Sequence, residues 1–213
     1  MSESAPARES TTRAALIDAA TRLMLEDGYA AVTTRKVAAR ADVNQALVYY
    51  HFGTMDELFL AVFRRGAEAS LKRLEDAARS DDPLRTLWQV SSEPQGSALT
   101  IEFIALANHR QAIRTELADY TRRFRRKQRE IIEQVSDAQD PGTPTPAAAT
   151  VVIAALARIL SMDGMLGITD GHDEVLALIE DRLTRWPPHE APSPALQAAP
   201  EESAPLARRR CEQ

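Results

Sequence analysis

The stretch Thr33 to Phe52, reading TTRKVAARADVNQALVYYHF, leaves this chain few ways to fold. Val37, Ala38, Ala41, Val43 and Val48 are spaced to pack two short helices across a tight turn. Ala38 and Ala41 are small where the helices cross closely, and a larger side chain at either position would push the second helix off its seat. Thr33 is placed to cap the first helix and Asn44 the second, Gln45 to His51. Each cap accepts a bond from first-turn amides, typically worth about 1 kcal/mol. Asp42 stands where such a turn often takes glycine, and Asp tolerates left-handed backbone better than most residues.

The surroundings extend the helical pattern. Leu16, Ala20, Leu23 and Met24 make one apolar stripe on a helix expected over Ser10 to Asp27, which Gly28 stops. Thr54-Met55-Asp56-Glu57 has the capping-box pattern and opens a longer helix carrying Leu58, Phe59, Val62 and Phe63. From Pro83 onward the spacing predicts helices over approximately 83–91, 97–108, 109–136, 147–166 and 172–186, punctuated by Gly and Pro. Aromatics make up only 5% of the chain and β-branched residues rarely alternate at period two, so the expected class is all-α. The expected organisation is a short arm over 1–9, a three-helix head over 10–65, a helical body over 66–186 and a Pro- and Ala-rich disordered tail over 187–213.

A formal charge of -5 means that any nucleic-acid contact must come from a local patch. Residues 1–60 hold six Arg or Lys against eight Asp or Glu, a formal -2. Between Thr33 and Phe52, however, Arg35, Lys36 and Arg40 stand against Asp42 alone, a local +2. Cys211, the single cysteine, excludes an intrachain disulfide and a cysteine-cluster metal site. The amino terminus lacks the apolar region of a secretory signal, and the run Val151 to Leu160 is interrupted by Arg158 and falls short of the roughly 20 residues that span a bilayer. A soluble, cytoplasmic protein without a membrane partner is expected.

The outward residues of the third helix would be Gln45, Ala46, Leu47, Tyr49, Tyr50 and His51. Gln pairs with an adenine edge, Ala and Leu press on thymine methyls, and tyrosine hydroxyls bond phosphate oxygens. Arg35 and Lys36 lie in the first turn of the second helix, where backbone amides already favour a phosphate. Phe52 reads as a packing anchor. The block Thr33 to Phe52, its Tyr-Tyr-His-Phe ending and the helix from Thr54 resemble the signature of the tetracycline-repressor family over roughly residues 10–65. The resemblance implies a helix-turn-helix regulator with an all-helical carboxyl-terminal domain that dimerises and binds a small molecule. By position it makes Thr34, Arg35, Gln45, Ala46, Leu47, Tyr49, Tyr50 and His51 DNA contacts, with Lys36 joining them on charge. Family members often carry a phosphate-binding lysine near the start of the fourth helix, where this chain has Met55; one contact fewer lowers the salt slope by about 0.9.

In the body, the helix near 147–166 is apolar around much of its circumference and suits burial on two sides. Val152, Ala155, Leu156 and Ile159, with Val175, Ile179, Leu183 and Trp186 of the last helix, are the expected homodimer interface. An ordinary monomer core is the other reading of the same pattern. Trp88, Phe103, Leu106, His109, Ile113, Tyr120, Phe124, Met162 and Met165 are the candidate lining of a pocket for a partly lipophilic effector, although most suit a core equally well. The basic run Arg122 to Arg129 has acidic neighbours at helical spacing and reads as a solvated face. No Gly-rich phosphate loop, nucleophile elbow or metal-spaced His or Cys group stands out, so no catalytic residue, metal or cofactor is expected. The favoured function is an effector-released repressor on inverted-repeat duplex DNA. The alternative is a helical interaction module that kept the fold and lost DNA binding.

Overall fold

The computed structural model describes residues 5–136 and 144–185. All regular structure among them is helical. The helices are α1 (Ala5–Asp27), α2 (Thr34–Arg40), α3 (Ala46–Phe52), α4 (Met55–Ala77), α5 (Pro83–Ser91), α6 (Pro94–Ala107), α7 (Gln111–Val135), α8 (Pro146–Met165) and α9 (His172–Arg185), with a 3-10 turn at Tyr29–Ala31. α1 starts at Ala5, so part of the segment expected as an arm is helical. Trp186, the 187–213 tail and Cys211 lie outside the described residues.

Local chemistry sets most of the helix starts. Thr33 Oγ1 accepts from the Lys36 amide at 3.2 Å, and Thr54 Oγ1 accepts from the Glu57 amide at 3.2 Å. Asn44 Oδ1 accepts from the Ala46 amide at 2.8 Å, which places the start of α3 one residue later than the spacing suggests. The turn between α2 and α3 depends on Asp42, at φ 54, and closes through the Val43 amide on the Ala38 carbonyl at 3.0 Å.

Two apolar cores form. The first unites Leu16, Ala20, Leu23 and Met24 of α1, Val37 and Ala38 of α2, Val48 and Phe52 of α3, and Leu58 to Phe63 of α4. It also takes in Phe103, Leu106 and Ala107 of α6 and Ile113 of α7, so the first and second halves of the chain share one interior. The Phe63 ring meets Phe103 edge-on at 5.0 Å and Tyr120 at 5.4 Å. The second core joins Leu74 and Ala77 of α4, Leu84 and Leu87 of α5, Ile131 and Ile132 of α7, and Ala149 of α8.

A polar clasp reinforces the shared interior. Gly28 ends α1 at φ 78, ψ 162, and the next amide, of Tyr29, donates to Glu102 Oε2 of α6 at 2.6 Å. Arg110 pairs with Asp56 at the start of α4, and Arg64 with Glu116 at 2.8 Å. Arg64 holds the Glu116 carboxyl below its ordinary range through that hydrogen bond. Replacing Glu102 by alanine orphans the half-buried Tyr29 amide. The expected cost is about 1 kcal/mol, read as a lower denaturant midpoint at unchanged slope.

α8 corrects one expectation from the sequence. Starting at Pro146 and ending at Met165, it is long and apolar enough by length and composition to cross a membrane, and little of it is buried. Val151, Val152, Ile159, Met162 and Met165 are all exposed, as are Leu166, Ile168, Leu176 and Leu178 beyond it.

Candidate nucleic-acid interface

α2 and α3 present one polar surface. Val37, Ala38, Val48 and Phe52 point into the core, and the remaining positions are fixed by where those four sit. Tyr49 and Tyr50 are 55% and 69% exposed, large values for aromatic residues in an ordered helix. Gln45 and Ala46 are exposed, whereas Leu47 and His51, expected to face outward, are half-buried. The Tyr50 and His51 rings meet edge-on at 5.1 Å, and the Arg13 guanidinium lies 5.1 Å over the buried Phe52 ring.

Two hydrogen bonds arrange this surface. Gln45 Nε2 donates to Thr34 Oγ1 at 2.7 Å across the α2–α3 junction, which leaves the Gln45 carbonyl oxygen and one amide proton for another partner. The Tyr50 hydroxyl donates to Glu9 Oε1 of α1 at 3.3 Å. A carboxylate beside an exposed tyrosine opposes the approach of an anion. Glu9→Gln is therefore expected to tighten binding to duplex DNA about two- to fivefold, an effect that shrinks as salt rises. Fluorescence anisotropy at two salt concentrations checks it.

The local charge differs from the sequence count. Lys36 Nζ lies 3.3 Å from Asp27, and Arg40 lies 2.6 Å from Glu26, because α2 crosses the carboxyl-terminal end of α1. Arg35 makes no ion pair among the described residues and remains exposed in the first turn of α2. Both pairs that do form are largely solvated, so each is worth little and readily exchanged for a phosphate. Met55 heads α4 and packs half-buried against the first core. Within the basic run of α7, Arg122 pairs with Asp119, Arg126 with Glu130 and Arg129 with Glu133 along the helix and Lys127 reaches Glu75 on α4 at 2.7 Å, while Arg125 makes no ion pair among the described residues.

The residues proposed to line a pocket do not come together. Phe103, Leu106 and Ile113 are buried in the first core, His109 is exposed at the α6–α7 turn, and Met162 and Met165 are exposed on α8. Trp88 faces an apolar groove of about 380 Å³ that it shares with Leu156, Val175, Ile179 and Leu183. Tyr120 and Phe124 line a separate cavity of about 120 Å³ between α4, α5, α6, α7 and α8. Burial pushes the Tyr120 phenol above its ordinary value, so it stays neutral at neutral pH. Gln128 belongs to the same wall and was missed. The signal was present: in the inward stripe Ile113, Leu117, Tyr120, Phe124, Gln128 and Ile132, one residue is an amide.

Of the residues expected at a dimer interface, Val152, Ala155 and Ile159 are exposed on α8. Leu156, Val175, Ile179 and Leu183 are half-buried around the apolar groove between α8 and α9.

A short helix set on a paired helix, its outer face polar and aromatic, is the geometry of a helix-turn-helix. Residues 16–62 match the profile of the bacterial regulatory proteins, tetR family. The chain is 29% identical over 126 residues to the HTH-type transcriptional regulator BetI of Rhizobium meliloti, covering 55% of this chain and 62% of that one. It is 40% identical over 76 residues to an HTH-type transcriptional repressor of Mycobacterium tuberculosis, covering 36% of this chain and 40% of the relative. The matched segments thus span less than two thirds of these curated relatives. Among solved structures, a transcriptional regulator from Rhodococcus sp. Rha1 is similar with a TM-score of 0.62 at 22% identity, over 80% of this chain and 95% of that one. A regulator from Saccharomonospora viridis in complex with choline is similar with a TM-score of 0.66 at 18% identity, over 85% and 97%. These two likenesses speak for the fold.

Proposed function

We propose that the chain is a cytoplasmic, non-enzymatic homodimeric repressor that binds an inverted repeat and is released from it by a small molecule. The observation that carries the reading is the outer face of α2 and α3, where Gln45 is held by Thr34 beside an unpaired Arg35 and exposed Tyr49 and Tyr50. Thr34, Arg35, Lys36, Gln45, Ala46, Leu47, Tyr49, Tyr50 and His51 are the DNA contacts in this reading. Leu47 and His51, half-buried, contact DNA through the part of each side chain that remains accessible. Residues 10–65 then act as the head and 66–186 as the body.

The exposed apolar side chains of α8 and α9 support a partner subunit, since a stable monomer rarely leaves so many large apolar residues in water on adjoining helices. Two heads one DNA turn apart, about 34 Å, read two half-sites. An effector that favours a different spacing lowers the population competent to bind. The repressor among the relatives and the choline-bound neighbour support repression and a small-molecule effector respectively.

The interaction-module alternative draws on the ion pairs that occupy Lys36 and Arg40 and on Met55 packed against the core. Selection of bound sites from a random duplex pool, at low and moderate salt, separates the two. Enrichment of an inverted repeat supports the repressor. If nothing enriches even at low salt, the head does not read DNA and the interaction module takes its place.

A further inference from the structure

The cavity beside Tyr120 has a chemistry that selects its occupant. Gln128 is 1% exposed, and its Nε2 donates to Ser91 Oγ at 2.9 Å. The Ser91 hydroxyl is itself committed to the Leu87 carbonyl at 2.7 Å, so Ser91 can only accept from Gln128. That fixes which end of the amide faces Ser91. Gln128 Oε1 is left buried without a hydrogen-bond partner among the described residues. A buried carbonyl oxygen of this kind gains most from a donor brought by a ligand.

Charge narrows the choice further. Arg73, Arg125 and Arg158 stand around the cavity, and none makes an ion pair among the described residues. Glu93 is the single carboxylate in the wall, and its two oxygens already accept from the Gln95 amide at 3.0 Å and the Gly96 amide at 2.6 Å to cap α6. Three guanidiniums against one committed carboxylate favour an anion. A quaternary ammonium would meet only two aromatic rings, Tyr120 and Phe124, and three like charges. A second hollow of about 170 Å³, reached past Tyr120 and walled by Leu99 and Phe103, gives an apolar ring or short chain somewhere to go.

We propose that this cavity binds a small organic anion, an aromatic or short-chain carboxylate that also carries a hydroxyl donor for Gln128 Oε1. The proposal rests on the effector reading above and names the chemical class of the effector. The test is calorimetric titration and thermal shift on the full chain with three probes: para-hydroxyphenylpropionate, tyramine and choline. The first two share a ring and hydroxyl and differ in the sign of charge.

The expected result is saturable binding and a raised Tm with the carboxylate alone. Arg158→Gln and Gln128→Met are each expected to weaken it about tenfold or more, the usual loss for a charge-assisted or buried hydrogen bond. Their ligand-free melting temperatures establish that both variants are folded. Binding of either cation as tightly as the carboxylate overturns the proposal, as does binding of none of the three, or wild-type affinity in both variants. The titrations contain no DNA. A chain that binds the carboxylate but enriches no duplex keeps this proposal and loses the operator reading, and the reverse outcome does the opposite.

Discussion

Changing Arg35 and Tyr49 together to alanine is expected to lower affinity for duplex DNA by roughly two to three orders of magnitude while leaving the melting temperature within a degree or two of wild type. Neither side chain belongs to the core: Arg35 is exposed in the first turn of α2, and Tyr49 is exposed on the outer side of α3. The two should separate on a salt titration. Arg35→Ala alone removes one phosphate neutralisation and should flatten the dependence of log affinity on log salt by about 0.9. Tyr49→Ala removes no charge and should shift the line without tilting it. Wild-type affinity in the double variant would remove the α2–α3 face from the DNA interface.

Phe103→Ala is expected to be the most damaging single change to stability, costing about 3–5 kcal/mol in denaturant unfolding. The ring is buried on α6 and packs edge-on against Phe63 of α4, within the interior shared with α1, α2 and α3. Its neighbour Glu102 holds the Tyr29 amide, so the head should lose DNA affinity alongside stability. One cooperative transition monitored at both ends of the molecule is the expected signature. A variant whose head stays folded and binds DNA at full strength while α6 melts would show that the two regions are energetically independent.

What the sequence revealed was mainly local. Thr33 and Thr54 cap because their side chains reach amides three residues away, and such chemistry is written in adjacent letters; Asn44 accepts from the Ala46 amide, but Gln45 takes the cap position of α3. Asp42 at positive φ is of the same kind. Apolar periodicity also gave the helices of the body, since it reports which face is turned inward. It does not report against what. Leu106 and Ile113 lie on inward faces, but the space they fill is the interior shared with the head, whereas Phe103 of the same core also walls the hollow beside Tyr120. The pairing of Lys36 with Asp27 and Arg40 with Glu26 depends on how α2 crosses α1, an angle set by packing that no spacing rule contains. The helix expected over 147–166 is found at Pro146–Met165, but only its apolar run from Val151 to Leu160 was measured against a bilayer, and the small residues ahead of that run complete the length.

The shared interior also bears on how proteins of this architecture can diversify. A recombination joint after residue 65 would separate Phe63 from the Phe103 and Tyr120 rings and divide the core that Leu16, Met24 and Phe59 share with α6 and α7. The resulting graft would present a raw apolar face to whatever body received it. New DNA specificities are therefore easier to acquire by exchanging the exposed residues of α3, which touch nothing in that interior, than by trading whole heads as cassettes.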